Sequence, residues 1–182
     1  MEKYLKQDGD LEPGVRTKLP QNRTIADFPN NDTSNWYIVN DGVMGGTSSS
    51  SFFIDGEGCG RFSGHVSLQN NGGFASVKHQ FAKIPVIGFQ HISLRIKGDG
   101  KRYQLRLKPA TGCRHAYISH FETNGQWQDL IFPLGDFHPT FKGRELDLPN
   151  FESDFLEEIG FLIANKQAES FQLLIDRIEL IS

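Results

Sequence analysis

The chain has 182 residues and a formal net charge of −3. That length suits one domain and buries enough surface to fold without a disulfide or a metal. No run of Lys or Arg marks a nucleic-acid arm or a basic membrane-surface helix, and no stretch reaches the roughly 20 apolar residues of a membrane span.

Residues 1–24 are polar, carry Pro13, Gly14 and Pro20, and show no periodicity. They are expected to form a tail or arm, with the domain over 25–182. The N-terminus lacks the apolar core of a signal peptide, so a cytoplasmic protein is expected. Cys59 and Cys113 are then expected to be free thiols in a reducing compartment.

From Ile25 onward the pattern is strands and tight turns. Strands are predicted near 36–40, 47–54, 59–68, 74–81, 92–97, 103–108, 114–122, 127–132, 159–164 and 170–181. Asp55-Gly56, Asn71-Gly72, Asp99-Gly100 and Asn124-Gly125 are turn dipeptides of the hairpin type. The clearest hairpin is predicted at Asp99-Gly100, where Ile92, Leu94 and Ile96 alternate on one arm and Tyr103, Leu105 and Leu107 on the other. The stretch 133–158, with Pro133, Pro139 and Pro149, reads as loop with a helical turn. In the last strand the apolar phase shifts from Phe171, Leu173 and Ile175 to Ile178 and Leu180, which predicts a bulge near Asp176-Arg177. Short strands with short links imply an all-β antiparallel sandwich or jelly roll.

The most unusual segment is Asn40-Asp41-Gly42-Val43-Met44-Gly45-Gly46-Thr47-Ser48. It is not a phosphate loop: no Lys precedes Thr47, the glycine spacing is wrong, and a strand follows. One reading is a tight turn in which Asp41 bonds backbone amides. The other is a contact loop, because Met44 between glycines offers an adaptable apolar tip. Asp41, Gly42, Met44, Gly45, Gly46 and Ser48, with Asn71, Gly72, Gly73 and Phe74 from the adjoining turn, form the first candidate surface.

Other chemistry is thinner. Asn40, Asp41, Asp55 and Glu57 carry oxygens but form no calcium-loop ladder, so no metal is assigned. The histidines, at 65, 79, 91, 115, 120 and 138, do not pair at zinc or catalytic spacing and read as scattered surface or edge residues. Ser63-Gly64 lacks a nucleophile elbow because Arg61 stands where a glycine is needed. Glu157-Glu158 is expected to face solvent. Arg95, Gln104, Arg106, Lys108, His115 and Tyr117 are expected to point outward on one sheet face; from these, Arg95, Arg106 and Tyr117 form the second candidate surface. Such faces bind sugars in some sandwich domains, and an ordinary solvated face is the alternative.

Trp36-Tyr37-Ile38-Val39-Asn40-Asp41-Gly42-Val43-Met44-Gly45-Gly46 resembles the signature of the complex I intermediate-associated protein 30 family. Phe62-Ser63-Gly64-His65-Val66-Ser67-Leu68, running into Asn70-Asn71-Gly72-Gly73-Phe74-Ala75-Ser76-Val77, is similar to the next part of it. Lys97-Gly98-Asp99-Gly100 with Tyr103 resembles its central hairpin. Phe137 to Arg144, Ile159 to Ile163, and Ile175-Asp176 with Ile178 resemble its later segments. The resemblance implies a galactose-binding-like jelly roll without catalytic residues or a cofactor. It also implies a role in assembling membrane complexes such as respiratory complex I, so a protein partner is expected, with a carbohydrate as the alternative ligand. The chain departs from the family pattern at Glu169-Ser170, where Gly-Pro is common, at Lys142, where Arg is common, and at Arg177, where Trp is common.

Overall fold

The structure, a computed structural model, describes residues 22–28 and 32–182. The part of the expected tail up to residue 21 lies outside them. Among the described residues, thirteen strands form two antiparallel sheets packed face to face. They are β1 (Asn22–Ala26), β2 (Trp36–Ile38), β3 (Ser49–Ile54), β4 (Gly60–Val66), β5 (Ala75–Pro85), β6 (His91–Lys97) and β7 (Arg102–Lys108). They continue as β8 (Ala116–Glu122), β9 (Trp127–Pro133), β10 (His138–Phe141), β11 (Arg144–Glu145), β12 (Phe155–Ile163) and β13 (Glu169–Ile181). The six-stranded sheet runs β3-β4-β13-β6-β9, with β1 also paired to β13. The seven-stranded sheet runs β11-β10-β8-β7-β12-β5-β2.

The alternation expected for β6 and β7 holds. Ile92, Leu94, Ile96, Leu105 and Leu107 are fully buried between the sheets. Burial of one face of each sheet is what fixes strand register, since a one-residue slip would turn every core side chain outward. At β13 the register shifts between Ile175 and Arg177, the predicted bulge. It lets both Ile175 and Ile178 stay in the core.

The turns differ from expectation. Only Asp55-Gly56 joins hydrogen-bonded neighbours, β3 and β4. Asp99-Gly100 carries the chain from β6 in one sheet to β7 in the other, so it is a corner and not a hairpin. Asn71-Gly72 and Asn124-Gly125 likewise lie between strands of different sheets. The dihedral freedom that suits a hairpin also suits a corner, so the dipeptide alone does not choose. Tertiary contacts choose at Asp99. Its carboxylate accepts hydrogen bonds from the Tyr103 hydroxyl (2.8 Å), the Lys101 ammonium (2.8 Å) and the Gln172 amide of β13 (3.0 Å).

The stretch 133–158 also holds more structure than its prolines suggested. A 3₁₀ turn, Leu134–Asp136, leads into β10, and β12 begins at Phe155. Lys142 (φ 50°) and Gly143 (φ 74°) form the turn of a hairpin between β10 and β11. Pro139 discounts a strand by pattern, but it sits within β10 opposite Tyr117. At the other end, residues 22–24, read as tail from their polarity, belong to β1.

Tyr103 is fully buried and its hydroxyl lies 2.8 Å from Asp99 Oδ1 and 3.2 Å from the Gln172 carbonyl oxygen. Replacing it with Phe removes the single hydroxyl proton that these two half-buried acceptors share. Tyr103→Phe is expected to cost about 1–2 kcal/mol, read as a lower urea midpoint with an unchanged slope.

Candidate functional site

The two loops of the first candidate surface meet at one side chain. Asp41 ends the segment after β2 and is completely buried. Its carboxylate accepts hydrogen bonds from the Ser48 amide (3.0 Å), the Gly73 amide (2.7 Å) and the Phe74 amide (3.3 Å). The Ser48 hydroxyl donates to it as well. Asp41 thus bonds amides, as the plain reading held, but across to a segment far along the chain and not within a local Asx turn.

Two glycines follow from this geometry. A Cβ at Gly46 would stand 2.3 Å from Asp41 Oδ1, and one at Gly72 would stand 2.6 Å from Oδ2. Both must be hydrogen for the carboxylate to fit. Outside this packed base, the loop opens to solvent. Val43 is 75% exposed, Met44 61% and Leu68 47%. Gly42, Gly45 and Asn71 are exposed around them, and Phe74 is half-buried. The loops are tied further by Thr47, whose hydroxyl donates to Ser67 Oγ at 2.8 Å.

Burial raises the Asp41 pKa, but the bonds from Ser48, Gly73 and Phe74 outweigh it and leave it below its ordinary 3.8. Trp36, the first residue of the signature, is structural too. It stacks between Phe52 of the facing sheet (4.3 Å) and His79 (4.6 Å). His79 is therefore a half-buried stacking partner, not a scattered surface residue. Burial holds its imidazole pKa below the ordinary value.

The second candidate surface does not exist as one face. Arg95 lies on β6 in the six-stranded sheet, paired with Asp129 (2.8 Å) and Asp176 (3.6 Å) and set over Trp127. Tyr117 lies on β8 in the other sheet, but it packs inward against the core and edge-on to Phe151. Burial pushes its phenol pKa up. Strand parity gave the alternation but not the sheet, nor the side on which β8 turns its odd residues. Gln104, Arg106 and Lys108 do share the outer face of the seven-stranded sheet. Lys78 and Gln80 of β5 and Glu158 and Gly160 of β12 join them by register.

Glu158 is a correction, since it was expected in solvent and is buried. It accepts from Gln80 Nε2 at 2.7 Å and lies 3.9 Å from Lys78 Nζ. Its signal was hidden because adjacent Glu157 does face outward, toward Lys83 and the Thr111 amide. Burial lowers the pKa of both Lys78 and Arg106, with Glu158 opposing it in each case. A cleft of about 290 Å³ continues this face at one end, lined by Arg102, Gln104, His120, Leu162, Asn165 and Lys166 among others.

Other sequence candidates fall into structural roles. The Asp55 carboxylate accepts from the Glu57 and Cys59 amides and pairs with Arg61 at 3.5 Å, which closes the β3–β4 turn. No three His, Cys, Asp or Glu side chains converge as a metal site among the described residues. His65 Nδ1 lies 3.2 Å from Ser170 Oγ, an exposed pair on adjacent strands. Cys59 is buried and Cys113 half-buried, both as free thiols. No helix of the described residues is long and apolar enough to cross a membrane.

The two-sheet sandwich is the jelly-roll fold that the signature motifs implied. The family model for complex I intermediate-associated protein 30 matches residues 26–175, and the chain belongs to that family. No curated protein matches it in sequence. Among solved structures, a family 11 carbohydrate-binding module from Clostridium thermocellum, in complex with a β-1,3-1,4-mixed-linked tetrasaccharide, is similar in fold. It shares 18% identity at a TM-score of 0.66, over 88% of this chain and 95% of that one. An exo-β-agarase matches at 12% identity and TM-score 0.54, over 87% of this chain and 25% of that one. A family 29 carbohydrate-binding module matches at 9% and 0.53, over 88% and 91%.

Asp41→Asn keeps the shape but turns an amide N–H₂ toward backbone N–H donors. It is expected to cost about 2–3 kcal/mol in urea unfolding at neutral pH. The wild-type carboxylate has a lower pKa folded than unfolded, so its contribution is complete above the unfolded value and lost as pH falls through the folded one. The stability gap between wild type and Asp41→Asn should therefore narrow as pH drops below about 3.8.

Proposed function

We propose that this chain is a non-enzymatic interaction domain that assists assembly of a membrane-bound respiratory complex, with the Asp41–Ser48 and Ser67–Phe74 loops as its contact rim. The observation that carries this reading is the pairing of exposed Val43, Met44 and Leu68 with a base fixed by a buried carboxylate. Apolar side chains on an ordered frame lose little entropy on binding, and Met adapts to irregular surfaces. Membership of the family supports the partner class. The reading needs no cofactor.

The test is affinity capture from native membranes solubilised in mild detergent, read by mass spectrometry. Wild type is expected to recover subunits of a respiratory complex. Met44→Asp and Leu68→Asp are expected to lose at least tenfold in recovery while melting at the wild-type temperature, since one buried apolar anchor is worth about 1.5–3 kcal/mol. Ile131→Asp, at an equally exposed apolar residue on β9, serves as control and should recover normally. Equal recovery by all three variants contradicts this surface.

A second reading, a carbohydrate-binding module, is favoured by the polar outer face of the seven-stranded sheet and by the likeness in fold to a module in complex with a tetrasaccharide. Saturable binding in calorimetric titration against a broad panel of soluble oligosaccharides supports it. Silence across the panel removes it.

A further inference from the structure

The centre of that outer face is cationic. β7 brings Arg106 and Lys108, β5 brings Lys78, and β12 answers with Glu158. Glu158 is already engaged by Gln80 at 2.7 Å and by Lys78 at 3.9 Å. Lys108 is turned away, donating to the Cys113 carbonyl at 2.8 Å. Arg106 feels the Glu158 charge but makes no direct ion pair with it. Its one hydrogen bond runs from Nη1 to Gln104 Oε1 at 2.9 Å, and no carboxylate forms an ion pair with it among the described residues. Its other N–H groups are not sealed from solvent, although the residue as a whole is half-buried.

Register gives this cation a counterpart. Gly160 on β12 stands opposite Arg106 on one side and opposite Lys78 on the other. The two therefore flank one glycine, with backbones about 10 Å apart, twice the spacing of neighbouring strands. Gly160 itself contributes no side chain between them, and the Glu158 carboxylate, two residues along β12, lies to one side at 3.9 Å from Lys78 Nζ. The backbone needs the glycine as well, since a Cβ there would stand 2.7 Å from the Val77 carbonyl oxygen. A planar guanidinium with free N–H groups matches a carboxylate through two parallel bonds, and an ammonium on the far wall adds a point charge.

We propose that Arg106 and Lys78 form a carboxylate-binding site across Gly160, and that its ligand is an acidic saccharide built of uronate units. This rests on the saccharide reading of the face and narrows it to a charge class. The flanking groups favour a sugar over an acidic peptide. Gln80, Gln104, His120 and Asn165 offer donors and acceptors suited to hydroxyl groups, and the 290 Å³ cleft extends the face with polar lining. Ile118, opposite Arg106 on β8, is buried and so offers no exposed apolar contact to a peptide side chain.

The full chain is titrated by calorimetry and by amide NMR with three probes: a galacturonate trimer, a neutral mixed-linkage glucan tetrasaccharide and a pentaglutamate peptide. The uronate trimer is expected to bind saturably, to shift the Gly160 amide, and to weaken as salt rises. Arg106→Gln should lower its affinity roughly tenfold or more, and Arg106→Lys by less, because charge without the fork is retained. Lys78→Gln should lower it several-fold. If an Arg106 variant does not fold, the wild-type Gly160 shift and Lys78→Gln decide. Binding of the neutral tetrasaccharide alone overturns the charge assignment and leaves the saccharide reading standing. Binding of pentaglutamate without the uronate overturns the ligand class. No saccharide binding at all overturns both readings.

Discussion

One buried carboxylate holds the signature region together. Among the described residues Asp41 has no cation paired with it, and an ionised group removed from water is costly unless its charge is met by hydrogen bonds. Backbone amides and one hydroxyl meet it, drawn from two segments that the sequence separates by more than twenty residues. The arrangement is reciprocal. The carboxylate needs those donors, and the donors need the carboxylate, since they sit in loops without strand partners. Loss of either side leaves a buried polar group unsatisfied, which is why the loops are expected to order or loosen as one unit.

That constraint propagates outward. Because Asp41 fills the space beside Gly46 and Gly72, neither position can carry a side chain, and the turn between Asp41 and Gly46 leaves Val43 and Met44 on its outside. Val43 and Met44 are exposed although they sit in an ordered 3₁₀ turn. The same region is braced from below by Trp36, whose ring lies against Phe52 and so couples the edge strand of one sheet to that of the other. An interaction rim on such a base resembles the way loops at the ends of other sandwich domains carry recognition while the sheets carry stability. The outer sheet face is a separate resource with different chemistry, ordered by register and charge instead of by a loop.

The fold was legible in the sequence because its main signal is period-two alternation, which Ile92 to Ile96 and Tyr103 to Leu107 display without interruption. Even the bulge beside Asp176 showed itself as a change of phase. Sheet membership was not legible. The Asp99-Gly100 turn looks alike whether it closes a hairpin or a corner, and the deciding bond comes from Gln172, far along the chain. The same blindness scattered Arg95, Arg106 and Tyr117 over three environments. The first candidate surface was drawn from glycine density and an unusual Asp, and its two loops do meet at that Asp. The reason for the glycines was hidden, since it is the close approach of a side chain from another segment. Glu158 could not be told from Glu157 by pattern, because a register shift in β12 falls between Leu156 and Glu158.

The most direct measurement is a carbon-13 NMR titration of the Asp41 carboxyl in the folded protein, with the amide shifts of Ser48, Gly73 and Phe74 followed in parallel. The account predicts a midpoint below 3.8 and amide changes at all three positions that track it together. A midpoint at or above 3.8, or amides that ignore the titration, would contradict the claim that this carboxylate clamps the two loops.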